Sequence, residues 1–439
     1  MAAKEQRDKA RRVSEKPVKS LILAAGMSTR MKSARSKMLH EVCGKAILSY
    51  VLDACREAGI TEQIIIVGAL RDQVMAAYAD AKDLAWVVQE PQQGTAHAVM
   101  VARDALRGYE GDLVVIVGDA PLIRPETIRT LLETHRKEAT AVTLVTAVLD
   151  DPKWFGRILR DAAGNLRGIV EAKEATPEEY AIREVNPSYY CFSWPALESV
   201  LGRVTNANSK KEYYLTDAVG LLIGDGRKAV AIPAAQAEEV EAVNSRKDLA
   251  LVASLMRRRI LERLMAEGVT IEDPATTYID WDVTVGQDTV IRPGTVIRGP
   301  SRIGRNCVVG PMAHLRPETV MEDGAEVGAF VETKNAHLGR DVLVRHLAYL
   351  GDCTVGPRTN VGCGTIIANS DGRRKHRTEI GADAFLGAGT LLVAPTSVGD
   401  GGRTGAGAVV TRAHPVPPGE TYVGVPARPH APKPKGTKR

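Results

Sequence analysis

Residues 284–304, TVGQDTVIRPGTVIRGPSRIG, decide the fold of half of the chain, because an aliphatic side chain returns in them at every sixth position. These positions are Val285, Ile291, Ile297 and Ile303. A helix repeats every 3.6 residues and a strand every two, so neither explains this spacing. A three-sided β-helix does, since each hexapeptide forms one side of a coil and points its aliphatic residue inward. The stretch therefore predicts a left-handed parallel β-helix.

The same spacing continues towards the end of the chain. Further aliphatic positions carry it on, with small slips: Val309, Leu315, Met321, Val327, Leu338, Val344, Leu350, Val355, Val361, Ile367, Ile380, Leu386, Leu392 and Val398. At eighteen residues a turn, the pattern predicts roughly seven coils. The polar stretch ANSDGRRKHRT at 368–378 interrupts it, so we expect a loop extruded from one edge.

Residues 17 to about 246 follow a different pattern, in which short aliphatic runs alternate with helical periodicity. The runs read as strands are LILAAG (21–26), QIIIVGA (63–69), AWVVQE (85–90), DLVVIVGDAPLI (112–123) and AVTLVTAVLD (141–150). The segments read as helices are AILSYVLDACREAG (46–59) and RPETIRTLLETHRKE (124–138). This order predicts an α/β, Rossmann-like domain with a mostly parallel sheet. Ligands of such sheets bind at the carboxyl ends of the strands, where AAG and GDAP fall.

Residues 246–268, RKDLALVASLMRRRILERLMAEG, predict one helix between the two halves, because their apolar residues recur three or four apart. Asp248 is suited to cap its start and Gly268 its end. The predicted organisation is therefore a basic disordered tail (1–16), an α/β domain (17–246), a linker helix (247–270), the β-helix (271–426) and a second basic disordered tail (427–439).

The loop after the first strand predicts a phosphate site. In LILAAGMSTRMKSARSKMLH (21–40), a buried strand leads into Gly26, which permits a tight turn. Hydroxyls and cations follow, at Ser28, Thr29, Arg30, Lys32, Arg35 and Lys37. Such donors suit an anion such as a nucleoside triphosphate. The spacing matches neither the P-loop nor the dinucleotide fingerprint, so an ordinary turn with solvated charges is the alternative.

Composition excludes several classes of protein. The chain has 439 residues, of which 44% are hydrophobic and 25% charged, as in soluble globular proteins. The net charge is only +5, and the basic ends are read as solvated tails rather than as nucleic-acid contacts. We expect no signal peptide and no membrane span. The six cysteines show no zinc spacing, which favours a reducing, cytoplasmic setting.

With these features together, the chain resembles the family of bacterial bifunctional N-acetylglucosamine-1-phosphate uridylyltransferase/glucosamine-1-phosphate N-acetyltransferases over about residues 17 to 426. The motifs that carry the resemblance are LAAGMSTRM (23–31), SKMLH (36–40), QQGTAHAV (92–99), GDAPLI (118–123), FGRI (155–158), IVEAKEAT (169–176), KEYYLTD (211–217), AVNSRKDL (242–249), LRPE (315–318), FVETKNAHLG (330–339), HLAYLGD (346–352) and NVGCGTI (360–366).

For the first domain the resemblance implies transfer of a uridylyl group from UTP to a sugar 1-phosphate, with release of pyrophosphate. Arg30 and Lys37 would hold the phosphates, and Asp119 and Asn244 would bind Mg²⁺, which prefers oxygen ligands. The remaining residues implied to bind the nucleotide or its sugar are Leu23, Ala24, Ala25, Gly26, Gln89, Gly94, Thr95, Gly156, Glu171 and Asn186. Uracil would meet Gln89, Gly94 and Thr95.

For the second domain the resemblance implies acetyl transfer from acetyl-CoA to the amine of glucosamine 1-phosphate. His346 would be the general base, because an imidazole takes up a proton near neutral pH. The residues implied to bind the sugar phosphate are Arg316, Lys334, Tyr349, Asn360, Asn369 and Lys375. Those implied to lie beside acetyl-CoA are Cys363, Ala388 and Ala406. Sites of such prisms lie between subunits, so a homotrimer is implied.

Two other functions remain open at this point. The β-helix could be purely structural, in a single-activity sugar-1-phosphate nucleotidyltransferase of the glucose-1-phosphate uridylyl- or thymidylyltransferase type. The chain could also be a non-catalytic scaffold. Ser370 and Ala388 stand where the family usually has tyrosine and serine. His346 and the loop around Lys375 argue against a purely structural prism, and Lys37, Asp119 and Asn244 together argue against a scaffold.

Overall fold

The computed structural model describes residues 16–234 and 236–430. Residues 1–15 and 431–439, which make up most of the two predicted tails, lie outside the described residues. The chain forms two compact units, one up to Leu255 and the other from Met256. No helix among the described residues is long and apolar enough to cross a membrane.

The helices belong almost entirely to the first unit. The described α-helices are α1 (Ile47–Glu57), α2 (Arg71–Ala77), α3 (Thr95–Val101), α4 (Pro125–Lys137), α5 (Pro177–Tyr180), α6 (Trp194–Leu201), α7 (Leu215–Gly224) and α8 (Arg246–Ala266). Short 3-10 turns cover Thr29–Met31, Lys37–Leu39, Asp104–Leu106 and Ala237–Val240. The helix predicted over 246–268 is confirmed as α8, which crosses the boundary between the units.

The strands of the first unit form one large sheet and a small hairpin. They are β1 (Val18–Ala24), β2 (Glu41–Val42), β3 (Lys45–Ala46), β4 (Gln63–Val67), β5 (Leu84–Val88), β6 (Asp112–Val117), β7 (Val142–Val148), β8 (Gly156–Arg160), β9 (Leu166–Val170), β10 (Glu184–Asn186), β11 (Tyr190–Ser193) and β12 (Ala229–Pro233). The large sheet has the order β5-β4-β1-β6-β11-β7-β10-β8-β9, with β12 beside β7. All five strands predicted from sequence are confirmed.

The sheet is parallel where the sequence is most aliphatic. β5, β4, β1 and β6 run parallel. Helices bury most side chains of β4, β1 and β6 on both faces, as parallel strands require, while the edge strand β5 is partly exposed. β8–β11 add antiparallel strands that the aliphatic pattern does not reveal. The carboxyl ends of β1, β5 and β6 therefore meet at one edge, which is where ligands of such sheets bind.

The second unit consists of short strands stacked into a parallel prism. They are β13 (Thr270–Ile271), β14 (Tyr278–Ile279), β15 (Thr284–Val285), β16 (Val290–Ile291), β17 (Val296–Ile297), β18 (Arg302–Ile303), β19 (Val308–Val309), β20 (His314–Leu315), β21 (Val320–Met321), β22 (Glu326–Ala329), β23 (Glu332–Leu338), β24 (Leu343–His346), β25 (Tyr349–Val355), β26 (Asn360–Val361), β27 (Ile366–Ala368), β28 (Thr378–Ile380), β29 (Phe385–Leu386), β30 (Leu391–Val393), β31 (Thr396–Val398), β32 (Arg403–Thr404), β33 (Val409–Val410), β34 (Thr421–Val423) and β35 (Arg428–Pro429).

Every aliphatic position in the predicted repeat is buried inside the prism. Parallel neighbours are 18 residues apart, as Val290 is from Val308, but the spacing falls to 17 between Glu326 and Leu343. It rises to 25 between Asn360 and Phe385, because the polar stretch 368–378 is extruded as predicted. These parallel coils are consistent with the predicted left-handed β-helix.

Two details differ from the sequence reading. Eight strands from β14 to β33 stack on one face, rather than the roughly seven coils predicted, because a coil at 270–279 precedes the first clear repeat. The tail predicted from residue 427 also begins too early. β35 pairs antiparallel with β34, so Arg428 and Pro429, inside the predicted tail, form a strand.

Candidate active sites

A cavity of about 310 Å³ opens at the carboxyl ends of the parallel strands in the first unit. Its walls come from Leu23, Ala25, Gly26, Met27, Lys37, Met38, Gln89, Gln92, Gly94, Thr95, Ala98, Val117, Asp119 and Glu212. The site therefore lies where sheet topology predicts it, and it joins the turn after β1, the loop after β5 and the loop after β6. We call it the nucleotide cavity.

Lys37, Asp119 and Asn244 meet at one wall of the nucleotide cavity. The Lys37 ammonium donates to Asp119 Oδ2 and also to Asn244 Oδ1, at 3.2 Å. The lysine side chain is only 6% exposed and the aspartate 16%. Three residues far apart in sequence thus converge as the motifs predict, with one cation held between two oxygens.

Asn244 owes its position to the start of α8. Asp248 Oδ2 accepts hydrogen bonds from the amides of Asn244, at 3.1 Å, and Ser245, at 2.8 Å. Ser245 Oγ in turn accepts from the Asp248 amide at 3.3 Å, which completes a capping box. The predicted capping role of Asp248 is confirmed, and this cap also fixes the backbone that carries the Asn244 amide.

His40 ties the loop after β1 to the same helix. Its Nδ1 accepts from Arg246 Nη1 at 3.3 Å, since a guanidinium can only donate. Its Nε2 then carries the hydrogen and donates to Ser33 Oγ at 3.2 Å. Burial, followed by the charges of Arg246 and Arg35, lowers the pKa of His40. The imidazole is therefore neutral at pH 7 and acts as a fixed link.

Gln89, Gly94 and Thr95 form a second wall. Gln89 Nε2 donates to the Gly94 carbonyl at 2.9 Å, and Thr95 Oγ1 accepts from the Leu215 amide at 2.9 Å. Gly94 has φ +107°, and a Cβ there would lie 2.5 Å from the Tyr213 carbonyl oxygen. The loop after β5 therefore packs against the KEYYLTD segment through a position that only glycine can fill.

Replacing Gly94 with alanine is expected to lower the free energy of unfolding by about 1–3 kcal/mol, because the side chain adds strain and a backbone clash. Thermal unfolding of the full chain measures the loss. Gly26→Ala is the matched control, since nothing lies within 4 Å of its Cβ position. Equal stability of the two variants would contradict the close packing at Gly94.

Gly156, Glu171 and Asn186 form a separate cluster that does not line the cavity. Gly156 faces Asn186 across β8 and β10, and a Cβ on Gly156 would contact Ile169 and Val170, just before Glu171. Asn186 Nδ2 donates to Tyr190 Oη at 2.6 Å. Glu171 accepts from Thr216 Oγ1 at 3.0 Å, and burial raises its pKa. The three predicted sugar-site residues are thus neighbours.

Arg30 and Ala24, two further residues predicted to bind the nucleotide, also lie outside the walls of the cavity. Arg30 is exposed, and its guanidinium stacks over Trp154 with 5.6 Å to the ring centroid. Ala24 is buried at the end of β1 between the two parallel neighbours. Arg30 therefore contacts Trp154 and does not line the cavity.

The donors at the Lys37 wall fit a hard divalent cation. Asp119 supplies a carboxylate and Asn244 an amide oxygen, both of the type that Mg²⁺ prefers. The Lys37 ammonium lies between these oxygens and occupies the place that a metal cation would take. Among the described residues, no group of three or more histidine, cysteine, aspartate or glutamate side chains forms a metal cluster.

In the second unit four of the six predicted sugar-phosphate residues, Arg316, Lys334, Tyr349 and Asn369, gather at one corner of the prism. Arg316 and Lys334 occupy the same register on adjacent coils, and Gly351 follows on the next. Coils of a parallel stack lie about 4.8 Å apart, so the two cations are neighbours. Arg316 Nη1 also pairs with Glu332 Oε1 at 3.0 Å.

Gly351 forms the floor of this corner. A Cβ there would lie 2.6 Å from Tyr349 Oη and 2.7 Å from Asn369 Nδ2, so both predicted side chains converge over the glycine. Asp352 holds Asn369 in place, and it also accepts from Asn335 Nδ2 at 2.9 Å. Tyr349, Asn369 and Lys334 therefore surround one small recess.

His346 begins a second alignment at the neighbouring corner. It ends β24 and is exposed, with no side-chain hydrogen bond or ion pair to the described residues. Following the register of the stacked coils, Cys363, Ala388 and Ala406 occupy the same position on the next three coils, and all three are exposed. A strip of small side chains thus runs along the prism from the histidine.

Asn360 and Lys375 stand apart from these groups. Asn360 is exposed at the start of β26, beside Leu343 rather than Tyr349. Lys375 is exposed in the extruded loop. Its backbone forms an antiparallel β-bridge with Ser370, the residue after Asn369. Asp371 shapes this loop by accepting from the Arg373 and Arg374 amides and from His376 Nε2, and these bonds lower its pKa.

The sequence reading missed several residues that shape the sites. Met27, Met38, Gln92, Ala98, Val117 and Glu212 line the nucleotide cavity without having been predicted. All but Val117 lie inside the quoted motifs, which is the signal that identifies them. Thr216 and Asp352, which hydrogen-bond Glu171 and Asn369, were not predicted either, and both lie inside quoted motifs, KEYYLTD and HLAYLGD.

Comparison with known proteins gives matches to both units. Residues 20–181 match the MobA-like NTP transferase domain family, and residues 282–317 match the family of bacterial transferase hexapeptides with six repeats. A solved UDP-glucose pyrophosphorylase in complex with UDP-glucose aligns with TM-score 0.46 and 18% identity, covering 55% of this chain and 99% of that chain.

Curated relatives match the chain along most of its length, and each carries the name Bifunctional protein GlmU. The relative from Trichlorobacter lovleyi is 42% identical over 427 residues, which are 90% of this chain and 93% of the relative. Those from Geobacillus sp. and Thermobifida fusca are each 41% identical, over 89% and 93% of this chain and 92% of either relative. These alignments span both units.

Proposed function

This chain belongs to the bifunctional GlmU family, and on that premise we propose how its residues divide two reactions. The protein is a UDP-N-acetylglucosamine diphosphorylase and a glucosamine-1-phosphate N-acetyltransferase. The first reaction belongs to the nucleotide cavity and the second to the β-helix. Its product, UDP-N-acetylglucosamine, would serve as a cell-wall precursor.

The convergence of Lys37, Asp119 and Asn244 is the observation that carries the first assignment. UTP would lie in the nucleotide cavity, with the uracil edge at Gln89, Gly94 and Thr95, whose amide and backbone groups can pair with an imide. The sugar would extend to Gly156, Glu171 and Asn186. Leu23, Ala25 and Gly26 would let the nucleotide approach the backbone closely.

The uridylyl step is an in-line attack by a phosphate oxygen of the sugar 1-phosphate on the α-phosphorus of UTP, with pyrophosphate leaving. Lys37 and Arg30 would hold the phosphates and offset their charge. Such transfers need positioning and charge neutralisation more than a protein nucleophile. When bound by Asp119 and Asn244, Mg²⁺ would supply further neutralisation of the phosphate oxygens.

For acetyl transfer, His346 would take the proton that the sugar amine loses when its nitrogen attacks the thioester carbon of acetyl-CoA. The thiolate of CoA leaves as the amide forms. Lys334, Arg316, Tyr349 and Asn369 would bind the sugar phosphate, with Asn360 and Lys375 at its margins. The small side chains of Cys363, Ala388 and Ala406 leave room for an extended acyl carrier to lie along the prism.

Both reactions are tested with purified protein. Pyrophosphate is measured after incubation with UTP, N-acetylglucosamine 1-phosphate and Mg²⁺, against a metal-free control. Free thiol is measured after incubation with acetyl-CoA and glucosamine 1-phosphate. Release of pyrophosphate without free thiol would favour the single-activity nucleotidyltransferase. The absence of both products would favour a scaffold. The exposed His346, at the start of the strip of small side chains, argues against a purely structural prism, and the convergence of Lys37, Asp119 and Asn244 argues against a scaffold.

An exposed apolar corner beside His346 supports a homotrimer. Met312, Phe330 and Leu347 occupy equivalent positions on consecutive coils and are 55%, 64% and 58% exposed. Three large apolar side chains in one row favour burial against another subunit. Neighbouring subunits would then border the acetyl-transfer site.

Phe330→Glu is expected to convert the trimer to monomers, because a buried unpaired charge costs several kcal/mol. Light scattering would give the mass, and we expect acetyl transfer to fall with it while uridylyl transfer persists. Val148→Glu, which adds the same charge at an exposed valine of the first unit, serves as the control. An unchanged mass for Phe330→Glu would exclude this corner as the interface.

The remaining partners and the setting follow from the same features. We propose no nucleic-acid partner, since the substrates are small sugar phosphates and a nucleotide. None of the six cysteines, all within the described residues, forms a disulfide. That state favours a reducing, cytoplasmic setting.

A further inference from the structure

A second cavity, of about 400 Å³, opens at the opposite edge of the large sheet. We call it the basal cavity and define it by Lys16, Asp112, Arg136, Ser193, Arg227 and Lys228. β6 begins at Asp112 in the basal cavity and ends at Val117 in the nucleotide cavity. A strand of that length spans about 17 Å, so the two cavities are separate.

Positive charge dominates the basal cavity. Four cations line it, Lys16, Arg136, Arg227 and Lys228, against the single carboxylate of Asp112. Lys228 also pairs with Glu138, just outside the cavity, at 2.6 Å. Arg227 forms no ion pair with any described residue. The wall therefore keeps a cationic excess that an anion would offset.

The buried groups hold this arrangement rigid. Asp112 is 2% exposed and accepts from Arg136 Nε at 2.8 Å, while Arg136 Nη2 donates to the Lys16 carbonyl at 2.8 Å. His135, which also lines the cavity, has its pKa lowered by burial to about 4. It is neutral at pH 7, so it adds no charge of its own. The two hydrogen bonds therefore hold the Arg136 guanidinium at the cavity wall, so it does not move freely in solvent.

We propose that the basal cavity binds a small anion that carries a phosphate or pyrophosphate group. Its volume lies within the range of small-molecule pockets. Guanidinium and ammonium groups recognise phosphate oxygens through charge-assisted hydrogen bonds, and the Ser193 hydroxyl adds a neutral donor. Nothing in the uridylyl or acetyl reaction uses these residues, which come from five separate segments of the chain.

Inorganic pyrophosphate is the probe, titrated calorimetrically into the full chain without divalent metal. Three variants separate the two cavities. Arg227→Glu alters the basal cavity, Lys37→Met alters the nucleotide cavity, and Lys82→Glu makes the same charge change at an exposed lysine on the same sheet edge. We expect Arg227→Glu to weaken binding by about tenfold or more, because a charge-assisted contact becomes repulsive. Lys82→Glu should leave that binding within about twofold. Lys37→Met removes a phosphate contact from the nucleotide cavity, so the binding that remains in this variant should be that of the basal cavity.

Three results would overturn the proposal. Wild-type protein could show no pyrophosphate binding at millimolar concentration. Binding could be lost in Lys37→Met and kept in Arg227→Glu, which would assign it to the nucleotide cavity. Binding could also weaken equally in Arg227→Glu and Lys82→Glu, which would make it an effect of net charge. Uridylyl transfer by Arg227→Glu, measured in parallel, reports that the variant is folded.

Discussion

Replacing Lys37 with methionine is expected to lower kcat/KM for uridylyl transfer by roughly a hundred- to a thousand-fold, the usual cost of removing one preset charge-stabilising group. The same change should raise the affinity of the substrate-free protein for a divalent cation. In that state the ammonium lies between Asp119 and Asn244, so it competes with a metal for both oxygens. Lysine thus has opposite effects on metal binding and on turnover.

Two measurements separate these effects. Steady-state kinetics give kcat/KM, and electron paramagnetic resonance gives Mn²⁺ affinity without nucleotide. The affinity should rise about tenfold or more, since a buried cation–carboxylate contact exceeds about 1.4 kcal/mol. Lys32→Met is the control, because Lys32 lies in the same loop but is exposed. Unaltered Mn²⁺ affinity in Lys37→Met would show that the ammonium does not occupy the metal position in solution.

Replacing His346 with alanine should lower the rate of acetyl transfer by about a hundred- to ten-thousand-fold, the range associated with loss of a general base. Uridylyl transfer should be unaffected, because its residues lie in the other unit. Thiol release and pyrophosphate release from the same preparation measure the two rates. The second activity reports that the variant is folded.

His337→Ala is the matched control for this change. His337 also lies on the surface of the β-helix, with its side chain 45% exposed, but it pairs with Glu322 at 2.9 Å rather than standing beside the strip of small residues. Its loss should leave both activities near the wild-type level. If His346→Ala still released thiol at the wild-type rate, His346 would not be the general base. If His346→Ala and His337→Ala lost acetyl transfer to the same extent, the effect would be structural.

The β-helix could be predicted from sequence because its signal is local. Each inward position, such as Ile297 or Leu315, is fixed by its own hexapeptide, and the buried side chains confirm the pattern residue by residue. The parallel strands β1, β4 and β6 are equally legible, since burial on both faces requires a continuous aliphatic run. Strands β8–β10 were not, because their short, mixed sequences pair antiparallel over distances that no local spacing records.

The sites also combine features that the sequence predicts with features that only the fold shows. Motifs located Lys37, Asp119 and Asn244, but only the fold reveals that the lysine lies between the other two. Glu212 reaches the nucleotide cavity because Gly94 allows the loop after β5 to touch Tyr213. The basal cavity was invisible to sequence, since residues as distant as Lys16 and Arg227 form it.

The extruded loop at 368–378 has a consequence for how such chains change length. The coil that contains it is longer than its neighbours, yet the next coil returns to the 18-residue spacing, as Phe385 and Arg403 do. Extra residues inserted at a corner therefore form a local loop, and the strands of the following coils keep their register. Insertions that arise during evolution can thus lengthen one coil of this protein while the coils before and after it stay in register.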